Sequence, residues 1–290
     1  DKKYKFKQSK AAVNKEWVDI YFSKNNKFNN FSYNNSNSLI FKSNKITRNQ
    51  SNKFILYEKN NLIISDKKGN IIIFSVDKNE NIGKFNFYKK KYKKINKILN
   101  IVVEKNIIYA SDNLGYLYAY DYSIDKILWA KNYKIPFRSN IKIFQEKILL
   151  SNQNNTFFFI NKLDGNILRT IPTEDSAIKN KFISNIAVYK NNVVFLNTYG
   201  SLYSLNGDNM RINWFINLNQ SLDINPSNLF LGNQITNDEK KIVVSTNFFT
   251  YVLDINTGSI IYKVNFSSLV KPLMVNNYLF SVTKNNLLVS

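Results

Sequence analysis

The sequence predicts an all-β chain of repeated four-stranded antiparallel units, and three observations carry that expectation. Five segments copy one another: "IIIFSVDKNENIGKFNF", "YLYAYDYSIDKILWAKN", "TFFFINKLDGNILRTIP", "SLYSLNGDNMRINWFIN" and "TYVLDINTGSIIYKVNF". Their shared turn begins at Asp77, Asp121, Asn161, Asn206 and Asp254, in steps of 44, 40, 45 and 48 residues, the period of a propeller blade. Ahead of each copy lie two more apolar runs joined by a polar turn, the pattern of a β-hairpin. Four short strands per repeat make the expected architecture a β-propeller.

Taken in order, residues 1–50 form an N-terminal arm. It contains "NKEWVDIYFSK" around Trp17 and then the Asn-rich stretch "NNKFNNFSYNNSNS". Residues 15–23 read either as a strand that closes the ring by completing a final blade or as a loosely packed arm. The repeats occupy 51–290. Five blades are complete over roughly 51 to 266, and a sixth, "KPLMVNNYLFSVTKNNLLVS", is cut off in its third strand. The chain is therefore expected to be a fragment, about five and a half blades, of a larger ring.

Within each repeat two positions stand out. Asn81, Asp125, Gly165, Met210 and Gly258 fill a slot where the turn wants positive φ, which suits Gly, Asn and Asp and makes Met210 a misfit that implies a locally different turn. Four residues later, Phe85, Trp129, Arg169, Trp214 and Tyr262 are expected to pack between neighbouring blades.

Composition narrows the chemistry. The chain has no Cys and no His, which removes disulfides, thiolate nucleophiles, the commonest general base and the commonest metal ligand. Neither a metal site nor a cofactor is expected. "KLDGNI" around Asp164 lacks the alternating acidic ligands of a calcium loop and reads as a turn. Asp112, Asp121, Asp125, Asp164 and Asp254 likewise sit where Asp caps its own turn. No run is long and apolar enough to cross a bilayer as a helix.

The net charge is +21, but only Arg48, Arg138, Arg169 and Arg211 are arginines. Base-edge readers prefer arginine, so no specific nucleic acid is expected. Lys dominance with roughly one Asn in six residues reads as compositional bias on a solvated surface, or as attraction to an anionic partner. The densest basic run, "YKKKYKKINK", places Lys89, Lys90, Lys91, Lys93 and Lys94 around Tyr88 and Tyr92. It is either a contact for an anionic surface or a solvated loop between the first two blades.

The stretches "GYLYAYDYSIDKILW" (115–129) and "YVLDINTGSIIYK" (251–263) resemble the quinoprotein-type, or PQQ-like, propeller repeat. Two families share it: the quinone-dependent dehydrogenases, and the BamB-like lipoproteins of the outer-membrane β-barrel assembly machinery. The first implies a quinone, usually with calcium, and carboxylates converging on the ring axis. The second implies an eight-bladed ring without catalysis, on the periplasmic side of a Gram-negative outer membrane. It also implies a lipid-bearing Cys before Asp1 and contact with nascent outer-membrane proteins.

The BamB-like resemblance implies a docking motif, apolar-x-apolar-Arg, in a loop joining two blades. "KIPFRSN" occupies that place, with Ile135, Phe137 and Arg138 in the pattern. The other reading is that Ile135 and Phe137 begin the next blade's inner strand. Acidic residues of the next inter-blade loop, which the family also supplies, are replaced near "KNKFISN" by Phe182 and Ser184, with Glu174 and Asp175 the only acids nearby. The expected function is thus a non-catalytic scaffold docking an assembly-machinery protein through inter-blade loops. The alternatives are a quinone-dependent enzyme and a basic propeller that binds anionic surfaces.

Overall fold

In the computed structural model, residues 10–13, 16–32, 38–39, 41–88, 90–175, 183–219, 232, 234–268, 270–276 and 278–290 are described. The chain forms five four-stranded antiparallel sheets and one three-stranded sheet, each paired in chain order, as the blades of a partial β-propeller. The first blade is β1 (Ser51–Glu58), β2 (Asn61–Asp66), β3 (Asn70–Ser75) and β4 (Glu80–Asn86). The second is β5 (Leu99–Glu104), β6 (Ile107–Asp112), β7 (Tyr116–Asp121) and β8 (Lys126–Asn132). The third is β9 (Lys142–Phe144), β10 (Lys147–Ser151), β11 (Phe157–Asn161) and β12 (Ile167–Ile171). The fourth is β13 (Asn185–Tyr189), β14 (Asn192–Leu196), β15 (Ser201–Asn206) and β16 (Ile212–Asn217). The fifth is β17 (Thr236–Asn237), β18 (Lys241–Ser245), β19 (Thr250–Asp254) and β20 (Ile260–Val264). The sixth holds β21 (Leu273–Val275), β22 (Tyr278–Val282) and β23 (Leu288–Val289).

The first strands of adjacent blades touch one another, β1 with β5, β9 with β13 and β13 with β17, so these strands line the axis. The middle strands of the second, third and fourth blades read as unbroken apolar runs because each of these blades is sandwiched between two others. Ile108, Ala110, Tyr118 and Tyr120 pack toward the first blade, against Ile63, Ile71 and Ile73. Their chain neighbours Tyr109, Leu117 and Ala119 pack toward the third, against Ile148, Leu150 and Phe158. Alternation therefore separates two cores rather than core from solvent.

The loops fall on two faces. Turns between the first and second and between the third and fourth strands share what we term the hairpin face. Turns between the second and third strands share the connection face with the links from blade to blade. On that face one device recurs: the residue closing the second strand, or the one after it, accepts the amides of the turn it opens. Asp66 Oδ1 takes Lys68 N and Asn70 N, and Asp112 Oδ1 takes Leu114 N and Tyr116 N. Asn152 Oδ1 takes Asn154 N and Thr156 N, and Asn197 Oδ1 takes Tyr199 N and Ser201 N. This is Asx-turn chemistry, which satisfies amides that the strand ladder leaves open.

On the hairpin face, Asp125, Gly165, Met210 and Gly258 have positive φ as expected. In the first blade the left-handed residue is Asn79, not Asn81, because β3 ends at Ser75 and β4 begins at Glu80, so a turn of the same four residues as in the second blade starts two residues earlier. Met210, at φ 60, takes the same conformation as its counterparts, so its turn is not a different one.

The large-residue slot is filled in register with the following turn. The Trp129 indole lies on Gly165 of the next blade, where an added Cβ would come within 2.6 Å of the ring, and Trp129 Nε1 donates to Lys162 O at 3.0 Å. Trp214 repeats this on Gly258, with an added Cβ at 2.5 Å and Nε1 donating to Ile255 O at 3.0 Å. Phe85 stacks on Tyr120, ring centroids 4.2 Å apart. Arg169 and Tyr262 are exposed, so two of the five slots do not pack between blades. Arg169 faces a turn that carries Met210 rather than a glycine floor, and there Phe144 covers Gly207 instead.

Candidate functional site

Three places were singled out by the sequence or emerge from the fold: the axis, the loop after Trp129 and the basic run after Tyr88. At the axis lies the N-terminal arm. Residues 17–26 cross the inner strands of successive blades by backbone hydrogen bonds. Trp17 exchanges N–H and C=O with Tyr57 at 2.8 Å each, Val103 N donates to Val18 O at 3.0 Å, Val188 N to Lys24 O at 2.7 Å and Asn237 N to Asn25 O at 3.2 Å. Asn26 Nδ2 bridges Ile186 O and Ile235 O, and Lys271 Nζ, just before β21, donates to Asn26 O at 2.5 Å. Residues 16–23 make single bridges to β1 and β5 and then continue past the third, fourth and fifth blades to the sixth.

This crossing carries the one ion pair among the described residues whose two partners are both buried. Lys142 Nζ of β9 meets Asp19 Oδ2 at 2.7 Å, with side-chain exposures of 0% and 5%, and also donates to Ser23 O at 2.9 Å. Burial pushes the Lys142 ammonium below its ordinary range, partly offset by Asp19; the pair is held because either charge alone would be stranded. Tyr21 lies between Lys142 and Lys271, at 5.7 and 5.9 Å from its ring centroid, and burial followed by the Asp19 charge pushes its hydroxyl up to about 12. Burial and then the Lys142 charge push Lys271 down to about 8.

The arrangement is structural in its chemistry. Asp19 already has Lys142 and the Tyr21 amide as partners, and among the described residues no three His, Cys, Asp or Glu side chains gather to hold a metal. A quinone with calcium would need open carboxylates at the axis, and these residues do not fit it.

The loop after Trp129 lies on the connection face. Tyr133 N donates to Gly115 O at 2.8 Å, Phe137 N to Asp112 O at 3.0 Å and Arg138 N to Ser151 O at 3.0 Å. These bonds seat the loop over the turns of the second and third blades. Phe137 is 2% exposed and packs edge-on to Tyr133 and Phe158, centroids 5.4 and 6.0 Å away. Of the expected docking triplet, Phe137 is therefore core, because its own backbone bonds turn it into the seam between two blades. Ile135 and Arg138 are half-buried. Glu174, in the next inter-blade loop, is drawn inward. It accepts Ser201 Oγ, Tyr203 Oη and Asn197 Nδ2, and these bonds hold its carboxyl below the usual range although burial opposes them. Phe182 and Lys89 lie outside the described residues.

The basic run forms a 3-10 turn, Lys90–Tyr92. Lys90 and Lys93 reach a cleft also lined by Lys68 and Lys97, whereas Lys94 is exposed and does not line it. Lys68 and Lys97 were not singled out in the sequence; the signal for Lys68 is its place beside Gly69 in the turn that closes over Tyr88.

No protein-family model matches the chain, and no curated protein matches it by sequence. Solved structures do. BamB from Moraxella catarrhalis superposes with a TM-score of 0.65 at 12% identity, covering 80% of this chain and 70% of that one. The computationally designed Ika8 protein gives 0.64 at 12% identity, over 81% and 68% of the two chains. Quinohemoprotein alcohol dehydrogenase from Comamonas testosteroni gives 0.62 at 13% identity, over 87% of this chain and 49% of that one. At such identities the likeness is one of fold. It joins this chain to propellers that include both an assembly protein and an enzyme.

Proposed function

We propose that the chain is a non-catalytic propeller scaffold of outer-membrane protein assembly, working on the periplasmic side of that membrane and docking a partner of the β-barrel assembly machinery through its connection face. The observation that carries this reading is the arm at the axis. Where the enzyme reading needs room and free carboxylates, residues 17–26 are bonded to the inner strands and Asp19 is neutralised by Lys142. Chemistry is thereby moved out of the centre, and binding is left to the loops, where rigid scaffolds present it.

The docking residues are Ile135 and Arg138, the half-buried members of "IPFR", with Phe137 anchoring the loop beneath them. A guanidinium beside apolar surface is a common hot-spot composition. The test is a pull-down of the full-length protein from its native envelope fraction, with an Ile135→Ala, Arg138→Ala variant alongside. Recovery of an outer-membrane β-barrel assembly protein by the wild type and its loss in the variant supports the reading. Equal recovery by both removes the site, and quinone-dependent dye reduction by the full-length protein removes the non-catalytic role.

A further inference from the structure

At the junction of the first two blades, on the connection face, a cleft of about 420 Å³ is lined by Lys68, Lys90, Lys93 and Lys97 together with Asn70 and Asn86. Lys97 is the informative member. It is 1% exposed, yet no carboxylate lies within ion-pair distance of it among the described residues, whose ion pairs involve only Lys142, Lys162 and Lys190. Its ammonium donates to Tyr92 O and stands 5.1 Å from the Tyr88 ring centroid, which leaves N–H donors of a three-donor group unused. A buried ammonium without a directly paired counter-charge is costly, and burial followed by the nearby Lys68 charge pushes Lys97 below its ordinary range, against the attraction of Asp112 and Asp66.

The two carboxylates of the neighbourhood are spent elsewhere. Asp66 accepts Asn49 Nδ2 at 2.8 Å, Asn70 Nδ2 at 2.7 Å and two backbone amides. Asp112 accepts Tyr88 Oη at 2.5 Å and the amides of Leu114 and Tyr116 at 2.8 Å. Neither pairs with a lysine. The cleft is also built rather than incidental. Gly69, at φ +84, permits its turn to close over Tyr88 and the Lys97 stem, where an added Cβ would meet them at 2.4 and 3.2 Å. Lys97 N is pinned to Lys67 O at 2.9 Å.

We infer that this cleft is a binding site for a phosphate group, with Lys97 as its buried floor and Lys68, Lys90 and Lys93 as its rim. Four lysines line the cleft and none is directly ion-paired among the described residues; a compact, multiply charged anion supplies that direct pairing, and lysine ammoniums suit phosphate as point charges. The phosphate can be free in solution or the headgroup of a lipid. This site stands on its own geometry and does not depend on the docking reading above.

The test uses the full chain at about 150 mM salt, where loosely held surface charge is screened. Inorganic pyrophosphate is titrated by calorimetry into the wild type, a Lys90→Glu, Lys93→Glu rim variant, a Lys97→Met floor variant and a Lys78→Glu, Lys126→Glu control on the hairpin face. Saturable binding is expected in the wild type and control, with affinity at least roughly ten-fold weaker in the rim variant, since two attractive charges become repulsive. The floor variant is expected to lose binding while keeping its circular dichroism spectrum; if it misfolds, the rim and control variants decide. In a second arm, phosphatidylcholine vesicles with and without phosphatidic acid are sedimented with the same proteins. Retention only on phosphatidic acid, lost in the rim variant, assigns a headgroup; pyrophosphate binding without retention assigns a soluble anion. Non-saturable binding, or equal loss in rim and control variants, overturns the site.

Discussion

Replacing Gly165 by Ala tests the seam between blades where its geometry is sharpest. Gly165 has φ +71, and a Cβ there would lie 2.6 Å from Trp129 Cε3 and 2.7 Å from Cζ3. The left-handed backbone costs an alanine about 1–2 kcal/mol. Displacing a ring that is 9% exposed and bonded to Lys162 O adds about 1–3 kcal/mol of overpacking. The expected loss is thus about 2–5 kcal/mol. In a Trp129→Ala background, itself costing about 3–5 kcal/mol, the ring is gone and only the backbone cost of about 1–2 kcal/mol remains. Equilibrium urea unfolding followed by circular dichroism of the four proteins gives the coupling, expected at about 1–3 kcal/mol. An equal cost of Gly165→Ala in both backgrounds refutes the indole-on-glycine account.

Three further outcomes follow from buried charges and turn carboxylates. Asp19→Ala strands the Lys142 ammonium and is expected to cost about 3–5 kcal/mol, while Asp19→Leu with Lys142→Met recovers most of it; urea midpoints of the two variants decide. Asp66, which burial alone would raise, is held below the carboxylate range by Asn70, Asn49 and two backbone amides. Its stabilisation is therefore full above the ordinary carboxylate range and lost as pH falls through and below it, and an Asp66→Ala variant is expected to show a flatter stability profile on the acid side than the wild type, read from urea midpoints across the acid range. Lys271, depressed to about 8, carries a penalty that is fully present below that pH. The penalty is relieved as pH rises toward the unfolded value of about 10.4, by at most about 3 kcal/mol before discounting for its partial exposure. The wild type should gain stability between pH 8 and 10, and Lys271→Met should not.

The blades were legible because each writes the same turn chemistry at the same spacing. Asp121, Asn161, Asn206 and Asp254 recur, and their positive-φ partners follow four residues later. The seam was half legible. Trp129 and Trp214 stood out, but their meaning lies in Gly165 and Gly258 one blade on, and where the next blade's turn carries Met210 instead of a glycine the slot holds an exposed Arg169. The slot and the next blade's turn must be read as a pair, and a single repeat does not show this.

The axial arm left no periodic trace. Its partners, Tyr57, Val103, Val188 and Asn237, are backbone groups 46, 85 and 49 residues apart in turn, and backbone partners impose no side-chain pattern. Asp19 looked like any polar residue until Lys142 was brought to it. Phe137 was legible as an apolar residue beside Arg138, but whether it faced solvent depended on bonds from its own amide to Asp112 and from Arg138 N to Ser151. Lys97, one lysine among many, is distinguished only by the Gly69 turn that covers it.

Hydrogen exchange at the amides of Val103, Val188 and Asn237 tests the central claim most directly, that the chain's own arm occupies the axis and leaves binding to the faces. Each donates to an arm carbonyl, of Val18, Lys24 and Asn25, and an amide so bonded exchanges only when the arm lifts. The account predicts protection at all three comparable to that of Ile148 and Val194 in the middle strands, falling together when residues 1–28 are deleted. Exchange at loop rates at these three amides in the intact chain would place the arm off the axis and return the centre to a ligand.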